Sequence, residues 1–292
     1  MIKALIFFTL LAILLFLWKR MSYGKPREGF DQMAPFTLKR NDSIYDDFYA
    51  TIYDDIHNTK SRAETEIGEI VKIVQPSKNS IFLDIGSGTG HLVNTLTQMG
   101  FNAHGIDKSK AMIHKSTENF PDTEFKCGDV CDSMSFDRGT FNYITCMNFT
   151  IYHLQDKMAF FKNCYYWLSP NGYLIVHLVD RDKYNAVAPV ANPMFVDNPQ
   201  KYTEGRIIES NAKLNDFKYS NAIDLKTQGT VIVKERFTDI ATNNTRENEL
   251  TLYMEDRGKI LDIAQKCGFI PHAQINTNGD EHQFIYIFER ML

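Results

Sequence analysis

In this 292-residue chain, the residues best equipped for chemistry begin with Gly86-Ser87-Gly88-Thr89-Gly90. They sit between a short apolar run, Ser80 to Ile85, and a helical pattern from His91 to Met99. A glycine turn at a strand-to-helix junction lets backbone approach a ligand closely, with the free N–H groups of the helix start facing it. That is a site of the nucleotide type. The spacing departs from the dinucleotide pattern G-x-G-x-x-G, because the third glycine comes one residue early and the sixth position is His91; no G-K-[ST] follows, which excludes a P-loop. The next strand-like run, Asn102 to Asp107, ends in a carboxylate 17 residues after Gly90, where an acid can accept both hydroxyl protons of a ribose. A third run, Glu124 to Cys127, leads into Gly128-Asp129-Val130. Asp84, Asp107 and Asp129 thus fall at strand ends along one edge of an open α/β sheet, the edge at which such sheets bind ligands.

The elements that must position these groups follow from periodicity and punctuation. A helical stretch from Ser61 to about Val74 ends at Pro76, Met158 to Leu168 reads as an aromatic-rich helix, and Asn171-Gly172 reads as a turn into a strand from Tyr173 to Val179. Glu255 to Cys267 reads as a helix closed by Gly268, followed by strands over 269–276 and 282–289. Between Asp180 and Met254, four segments (206–214, 217–226, 229–239 and 245–254) alternate β-branched and aromatic residues and are broken by Asn-Asp, Gln-Gly and Asn-Asn. They predict an antiparallel β cap over about 181–254.

In order along the chain, LDIGSGTG (83–90), GIDKSKAMI (105–113), CGDV (127–130), FNYITCMNFTIYHL (141–154) and LSPNGYLIV (168–176) resemble the successive motifs of the class I S-adenosylmethionine-dependent methyltransferases. The resemblance covers about residues 80–290. It implies a Rossmann-like sheet of seven strands, mostly parallel with the last strand antiparallel, flanked by helices and carrying the cap after the fifth strand. The implied cofactor is S-adenosyl-L-methionine. Carried over residue by residue, the resemblance implies that Gly86, Gly88 and Gly90 wrap the methionine part of the cofactor and that Asp84 faces its ammonium group. Asp107 would hold the ribose diol, Asp129 the adenine amine and Val130 a ring nitrogen through its main chain. Met112 would flank the adenine, and Asn148 would offer its carbonyl near the ammonium. The cap and the segment Ile44 to His57, with Tyr45, Tyr49 and Tyr53, would close over the methyl acceptor and exclude water.

Methyl transfer from a sulfonium needs little side-chain chemistry beyond alignment, but a hydroxyl or protonated amine acceptor needs a base. His153, on the rim just past the fourth strand, is the first candidate. Tyr49 is also expected among the catalytic residues, and His177, Glu235 and Arg246 are further candidates. The expected function is methyl transfer to a small-molecule or lipid-like O or N acceptor. A membrane-anchored, catalytically inactive binding scaffold is the alternative, and an NAD-dependent oxidoreductase is opposed by His91 in the glycine pattern.

Composition and charge bound the rest. The chain is 43% hydrophobic, too apolar for disorder, and its five cysteines form neither a C-x-x-C pair nor a cluster with histidines, so no disulfide framework and no metal site are expected. Residues 1–30 carry five basic side chains against Glu28. Of the overall charge of −4, the remainder of the chain therefore carries −8, which argues against nucleic acid as a partner. Ala4 to Trp18 is apolar except for Thr9; as a helix it would be about 22 Å long against a hydrocarbon core of about 30 Å, with Lys3 and Lys19-Arg20 placed to snorkel at its ends. It reads as a single-pass membrane anchor over 1–20, with 21–43 as a linker and 44–292 as the catalytic domain. The positive charges after the apolar run keep that domain on the cytosolic side. The alternative is a signal peptide cleaved near Ser22-x-Gly24, giving a secreted or lumenal protein, but Asn148 would then sit in the site as a glycosylation sequon.

Overall fold

The computed structural model describes residues 34–192, 198–225, 227–277 and 279–291. The expected anchor over 1–20 lies outside the described residues. Among those that are described, no helix is long and apolar enough to cross a membrane.

In chain order the elements are β1 (Phe36–Arg40), α1 (Asp47–His57), α2 (Thr59–Val74), β2 (Ile81–Ile85), α3 (His91–Gln98), β3 (Asn102–Asp107), α4 (Lys110–Asn119), β4 (Glu124–Cys127), β5 (Phe141–Cys146), α5 (Thr150–His153), α6 (Lys157–Trp167) and β6 (Leu168–Val179), then β7 (Glu209–Lys213), β8 (Phe217–Asp224), β9 (Val231–Asp239), β10 (Thr245–Leu252), α7 (Arg257–Lys266), β11 (Phe269–Asn276) and β12 (Gln283–Arg290). Seven strands form the central sheet in the order β11-β12-β6-β5-β2-β3-β4. β12 runs antiparallel to β6, and the pairs among β2 to β6 are parallel. The expected Rossmann-like architecture with a reversed last strand is present.

Central strands of such a sheet are covered on both faces and so read as continuous apolar runs. β2 is buried over Phe82 to Ile85. On one face, α2 lays Ala63, Ile67, Ile70 and Val74 against Phe82, Val93 and Leu96; the three-and-four spacing of those residues is the helix's apolar stripe. On the other face, α6 brings Phe160, Phe161, Cys164 and Trp167 into a second cluster with Leu174, Val176 and Phe288.

β6 differs from expectation. It starts at Leu168 rather than Tyr173, and Asn171-Gly172 is an irregularity within it: Phe141 pairs with Leu168 but Tyr143 with Tyr173. Asn171 takes a left-handed φ of 60°, and a Cβ on Gly172 would sit 2.8 Å from Ser169 O and 2.9 Å from Asn142 O, so the turn-forming residues serve a bulge.

Strands β7 to β10 form the cap, each within two or three residues of its expected bounds, in the order β1-β10-β9-β8-β7. The fifth strand is β1, which runs parallel to β10 (Leu38 beside Glu247) and lies inside the stretch read as linker. No residue of β1 is buried, so FTLKR carries no core alternation by which to recognise a strand.

Helix α1 is clamped between cap and sheet. Phe48, Tyr49, Ile52 and Ile56 pack with Phe217, Tyr219 and Phe237 of the cap and with Met112 of α4. Its N-cap, Asp46, accepts from Tyr49 N at 3.2 Å and receives Nη1 of the fully buried Arg246, 2.9 Å from each carboxylate oxygen. Arg246 also donates to Ile44 O and Asn248 Oδ1, both at 2.9 Å, with its guanidinium carbon 4.7 Å from the centre of the Phe48 ring. Considered from sequence as a catalytic group, Arg246 is wholly spent on joining β10 to α1. Removing one partner of a buried pair strands the other. Arg246→Met is therefore expected to lower stability by about 3 kcal/mol in urea denaturation; a loss under about 1 kcal/mol would contradict the clamp.

Candidate active site

The glycine turn leaves β2 with Gly86, Gly88 and Gly90 all at positive φ (69°, 53° and 88°), a conformation that L side chains rarely adopt. Gly86 N and Ser87 N both donate to Ile106 O, at 2.8 and 3.1 Å, which moors the turn to β3. A Cβ on Gly86 would collide with the Thr150 side chain, whereas one on Gly88 would meet only the Tyr53 ring edge, at 3.8 Å. Gly88 is therefore the open side of the turn. Gly90 has another role: a Cβ there would lie 2.6 Å from Phe125 Cζ and 3.0 Å from Ser116 Cβ, and Gly90 lines neither cavity beside the turn. Its lack of a Cβ allows close helix-to-strand packing.

A cleft of about 750 Å³ opens along the sheet edge, and Gly86, Gly88, Asp107, Met112, Asp129, Val130 and Asn148 all line it. Asp107 Oδ2 accepts from Gly88 N at 2.9 Å and Oδ1 from Ser109 N at 2.8 Å. Burial raises its pKa, although those backbone donors oppose the rise. Asp129 accepts from Cys131 N at 2.8 Å and lies 3.6 Å from Lys108 Nζ, while Asn163 Nδ2 holds the Val130 carbonyl at 2.9 Å. Met112 is buried under α1 and forms the apolar wall.

Asp84 lies at the other end of the turn, in a smaller adjoining cavity with Arg62, Glu66 and Asn148. Thr145 Oγ1 donates to Asp84 at 2.7 Å, but burial prevails and pushes the carboxyl up to about 7. Asn148, at φ 46°, has both ends of its side chain engaged: Oδ1 accepts from Arg62 and Nδ2 donates to the Tyr53 hydroxyl at 3.1 Å.

Sequence reasoning missed Arg62, which α2 places between Glu66 (3.1 Å) and Asn148. As a basic residue four positions before an acid, it reads in sequence like any solvated helical pair. It lines the same small cavity as Asp84. His91, the residue that breaks the dinucleotide pattern, also acquires a role. Its Nε2 lies 3.1 Å from Asp54 of α1, whose other carboxylate oxygen accepts from Thr59 at 2.6 Å and from Thr89 at 2.5 Å. Burial alone would raise the Asp54 pKa, but these hydrogen bonds outweigh it and lower the pKa instead. The lid helix is thereby latched to the glycine turn.

A second cavity, of about 430 Å³, lies under the cap and α1, and His153 and Asn148 line both it and the cleft. His153 is half-buried with Nε2 3.5 Å from the Tyr45 hydroxyl, and burial holds its pKa down to about 4. Tyr49 lies deeper: it lines only the second cavity, its hydroxyl is 3.2 Å from His57 Nε2, and burial pushes its pKa well up. Glu235 lines that cavity too. His177 lines neither; it is fully buried in β6, with Nε2 3.1 Å from Gln283 Oε1. It supports the sheet rather than the chemistry.

The groups present fit the expected cofactor. Gly88 leaves its side of the turn open, a carboxylate and an apolar wall line the cleft, and an acid (Asp84) and a base (Arg62) line the far end.

Comparison with known proteins agrees. Residues 82–172 match the family model of the methyltransferase domain. The dTDP-4-amino-2,3,4,6-tetradeoxy-D-glucose N,N-dimethyltransferase of Saccharopolyspora spinosa is 30% identical over 148 residues, which cover 48% of this chain and 58% of the relative. A ubiquinone biosynthesis O-methyltransferase of Parvibaculum lavamentivorans is 27% identical over 127 residues, 42% of this chain and 49% of the relative. The chain thus spans about half the length of the curated relatives it matches. The crystal structure of an S-adenosylmethionine-dependent methyltransferase from Clostridium acetobutylicum shares the fold, with a TM-score of 0.63 at 16% identity over 84% of this chain and 98% of that one. Residues 82–172, which hold the glycine turn and all three strand-end acids, thus carry a methyltransferase domain.

Proposed function

We propose that this protein transfers a methyl group from S-adenosylmethionine to an O or N atom of a small-molecule or lipid-like acceptor. The observation that carries this reading is the junction of a cofactor-type cleft with an enclosed cavity at His153 and Asn148. The relatives named above act, by name, on an amino sugar and in ubiquinone biosynthesis, which supports a small acceptor.

When bound, the cofactor supplies a methyl group already activated on a sulfonium. The chain's own work is to hold and to shield. Gly86 and Gly88 allow backbone contact, Asp107 accepts the ribose hydroxyls, Asp129 and Val130 read the adenine edge, and Met112 covers it. Arg62 and Asp84 take the carboxylate and ammonium of the amino-acid end. Helix α1, latched by Asp54 to Thr89 and His91 and clamped by Arg246, roofs the junction and keeps water from the acceptor. His153 stands at the seam as a proton acceptor, with Tyr49 behind it. The apolar segment Ala4 to Trp18 anchors this domain to the cytosolic face of a membrane, within reach of lipid-like acceptors.

The Asp84 carboxyl gives this reading a pH signature. Burial raises its folded pKa from the ordinary carboxylate range to about 7. The empty protein therefore loses stability as pH rises through that window, and a bound ammonium favours the carboxylate. Cofactor affinity is expected to rise several-fold from pH 6 to pH 8, with proton release seen as a buffer-dependent binding enthalpy in calorimetry. Equal affinity at both pH values would contradict the placement of Asp84.

The function itself is tested with methyl-labelled S-adenosylmethionine, full-length chain in its membrane and soluble fractions, and a panel of small amines, phenols and extracted lipids. Label is expected in an organic product, with the activity in the membrane pellet. Cofactor binding without any labelled product would favour the scaffold, and activity confined to the soluble fraction would argue against the anchor.

A further inference from the structure

The register of the cap sorts its inner side into rows. Ile223 of β8, Val233 of β9 and Leu250 of β10 pair across the sheet as an apolar row, and two residues away along each strand Asn221, Glu235 and Asn248 pair as a polar one. The apolar side points to the seam between cavity and cleft: Tyr253, which follows Leu252, donates its N–H to the carbonyl of Tyr152 at 2.7 Å, immediately before His153. The polar row lies on the far side. Glu235 and Asn221 accordingly line the acceptor cavity but not the cofactor cleft.

What the polar row lacks is donors. Glu235 is 7% exposed; the Tyr219 hydroxyl donates to its Oε1 at 2.8 Å and Asn248 Nδ2 to its Oε2 at 3.1 Å, so each oxygen holds one neutral donor and keeps a second lone pair. Among the described residues no cation forms an ion pair with it, and Arg246, which is bonded to the other end of Asn248, is paired with Asp46. Beside Glu235, Asn221 turns Nδ2 to Ala186 O at 3.5 Å, which leaves Oδ1 buried without a hydrogen-bond partner among the described residues. Buried polar atoms are seldom left so. Asn192 Oδ1, in the same lining, is another buried acceptor without a partner among the described residues. The charges of the lining agree. Its acids are Glu66, Glu235 and Asp280, and among the described lining residues Arg62 is the one lysine or arginine, 3.1 Å from Glu66. Burial holds His57 down to about 3 and His153 down to about 4, so neither adds positive charge near neutral pH.

We propose that Glu235 and Asn221 form a subsite for a primary ammonium group of the methyl acceptor, remote from the atom that is methylated. The proposal deepens the methyl-transfer reading above and rests on it. An ammonium brings the missing charge and three donors, enough for Glu235 and for the Asn221 oxygen together, whereas a hydroxyl brings one donor and no charge. Burial raises the Glu235 pKa despite its donors, and an arriving cation relieves that cost of holding the charged form. Tyr45, Tyr49 and Tyr53 line the cavity in edge-to-face succession, with ring centres 5.5 and 5.7 Å apart, and aromatic faces also attract an ammonium. With the ammonium held at the polar row, the body of the acceptor lies along Ile223, Val233 and Leu250, and its opposite end is presented at His153 and Asn148, where the cavity meets the cleft.

The test is calorimetric titration of the full-length chain, with S-adenosylhomocysteine bound, at neutral pH, where a primary amine is charged. The probes are trans-4-aminocyclohexanol and its isostere trans-cyclohexane-1,4-diol. Wild type is expected to bind the amino alcohol about tenfold tighter than the diol, as a charge-assisted hydrogen bond does over a neutral one. Glu235→Gln keeps the size and removes the charge, and is expected to bring the two probes to within about twofold of each other by weakening the amine alone. Asn221→Leu leaves Glu235 with both of its donors and removes the unpartnered oxygen; it is expected to weaken the amine about fivefold. Each variant is compared at full occupancy by S-adenosylhomocysteine, and if Glu235→Gln does not fold, the wild-type preference and Asn221→Leu decide. Wild type that fails to bind the amine or binds both probes alike, or a preference for the amine that survives both substitutions, would overturn the subsite. Failure of wild type to bind S-adenosylhomocysteine would instead strike the methyl-transfer reading, so the two failures are told apart.

Discussion

The Gly88 N–H and the Asp107 carboxylate meet at 2.9 Å, and the ligand cleft depends on that contact. The turn can reach β3 because its glycines accept positive φ, and the carboxylate lies there because β3 ends one residue past the pair Ile85 and Ile106. The parallel register of β2 between β3 and β5 also sets Asp84 beside Gly105 and Thr145, at the opposite end of the same turn. A single short loop thus carries an acid at each end, spaced for the two halves of a long ligand.

The second constraint is the roof. Helix α1 is amphipathic, but its own apolar face does not decide which way it lies. Three polar ties do: Asp46 to Arg246 in the cap, Asp54 to Thr89 and His91 at the glycine turn, and Tyr53 to Asn148 past β5. Each tie links a different structural unit to one helix, so the cap, the cofactor turn and the acceptor cavity have a common wall. One helix is for that reason part of the wall of both cavities.

Much of the central sheet was legible in the sequence because three of its strands end in a signal that local chemistry requires (the glycine turn, Asp107 before a Ser109 N-cap, and Gly128-Asp129), and Gly268, closing α7, marks the start of a fourth. The cap strands were legible by alternation. What escaped were features decided by partners distant in sequence. Strand β1 has no buried face of its own and is a strand only because β10 is beside it. Asn171-Gly172 carries turn chemistry, but the neighbouring strand converts it to a bulge. Arg62 and His57 look like solvated helical residues until α2 and α1 are folded over the turn. The tight contact of Gly90 with Phe125 was not visible in its motif, and Arg246 looked like a free cation until Asp46 was placed beside it.

Calorimetric titration of the full chain with S-adenosylmethionine, S-adenosylhomocysteine and NAD, in wild type and Asp107→Ala, tests the account most directly. The two sulfur ligands are expected to bind in the micromolar range and NAD not at all, with the substitution weakening both by about 2 kcal/mol, the scale of a hydrogen bond to a charged group. Binding of NAD, or sulfur ligands that bind Asp107→Ala as well as wild type, would contradict it.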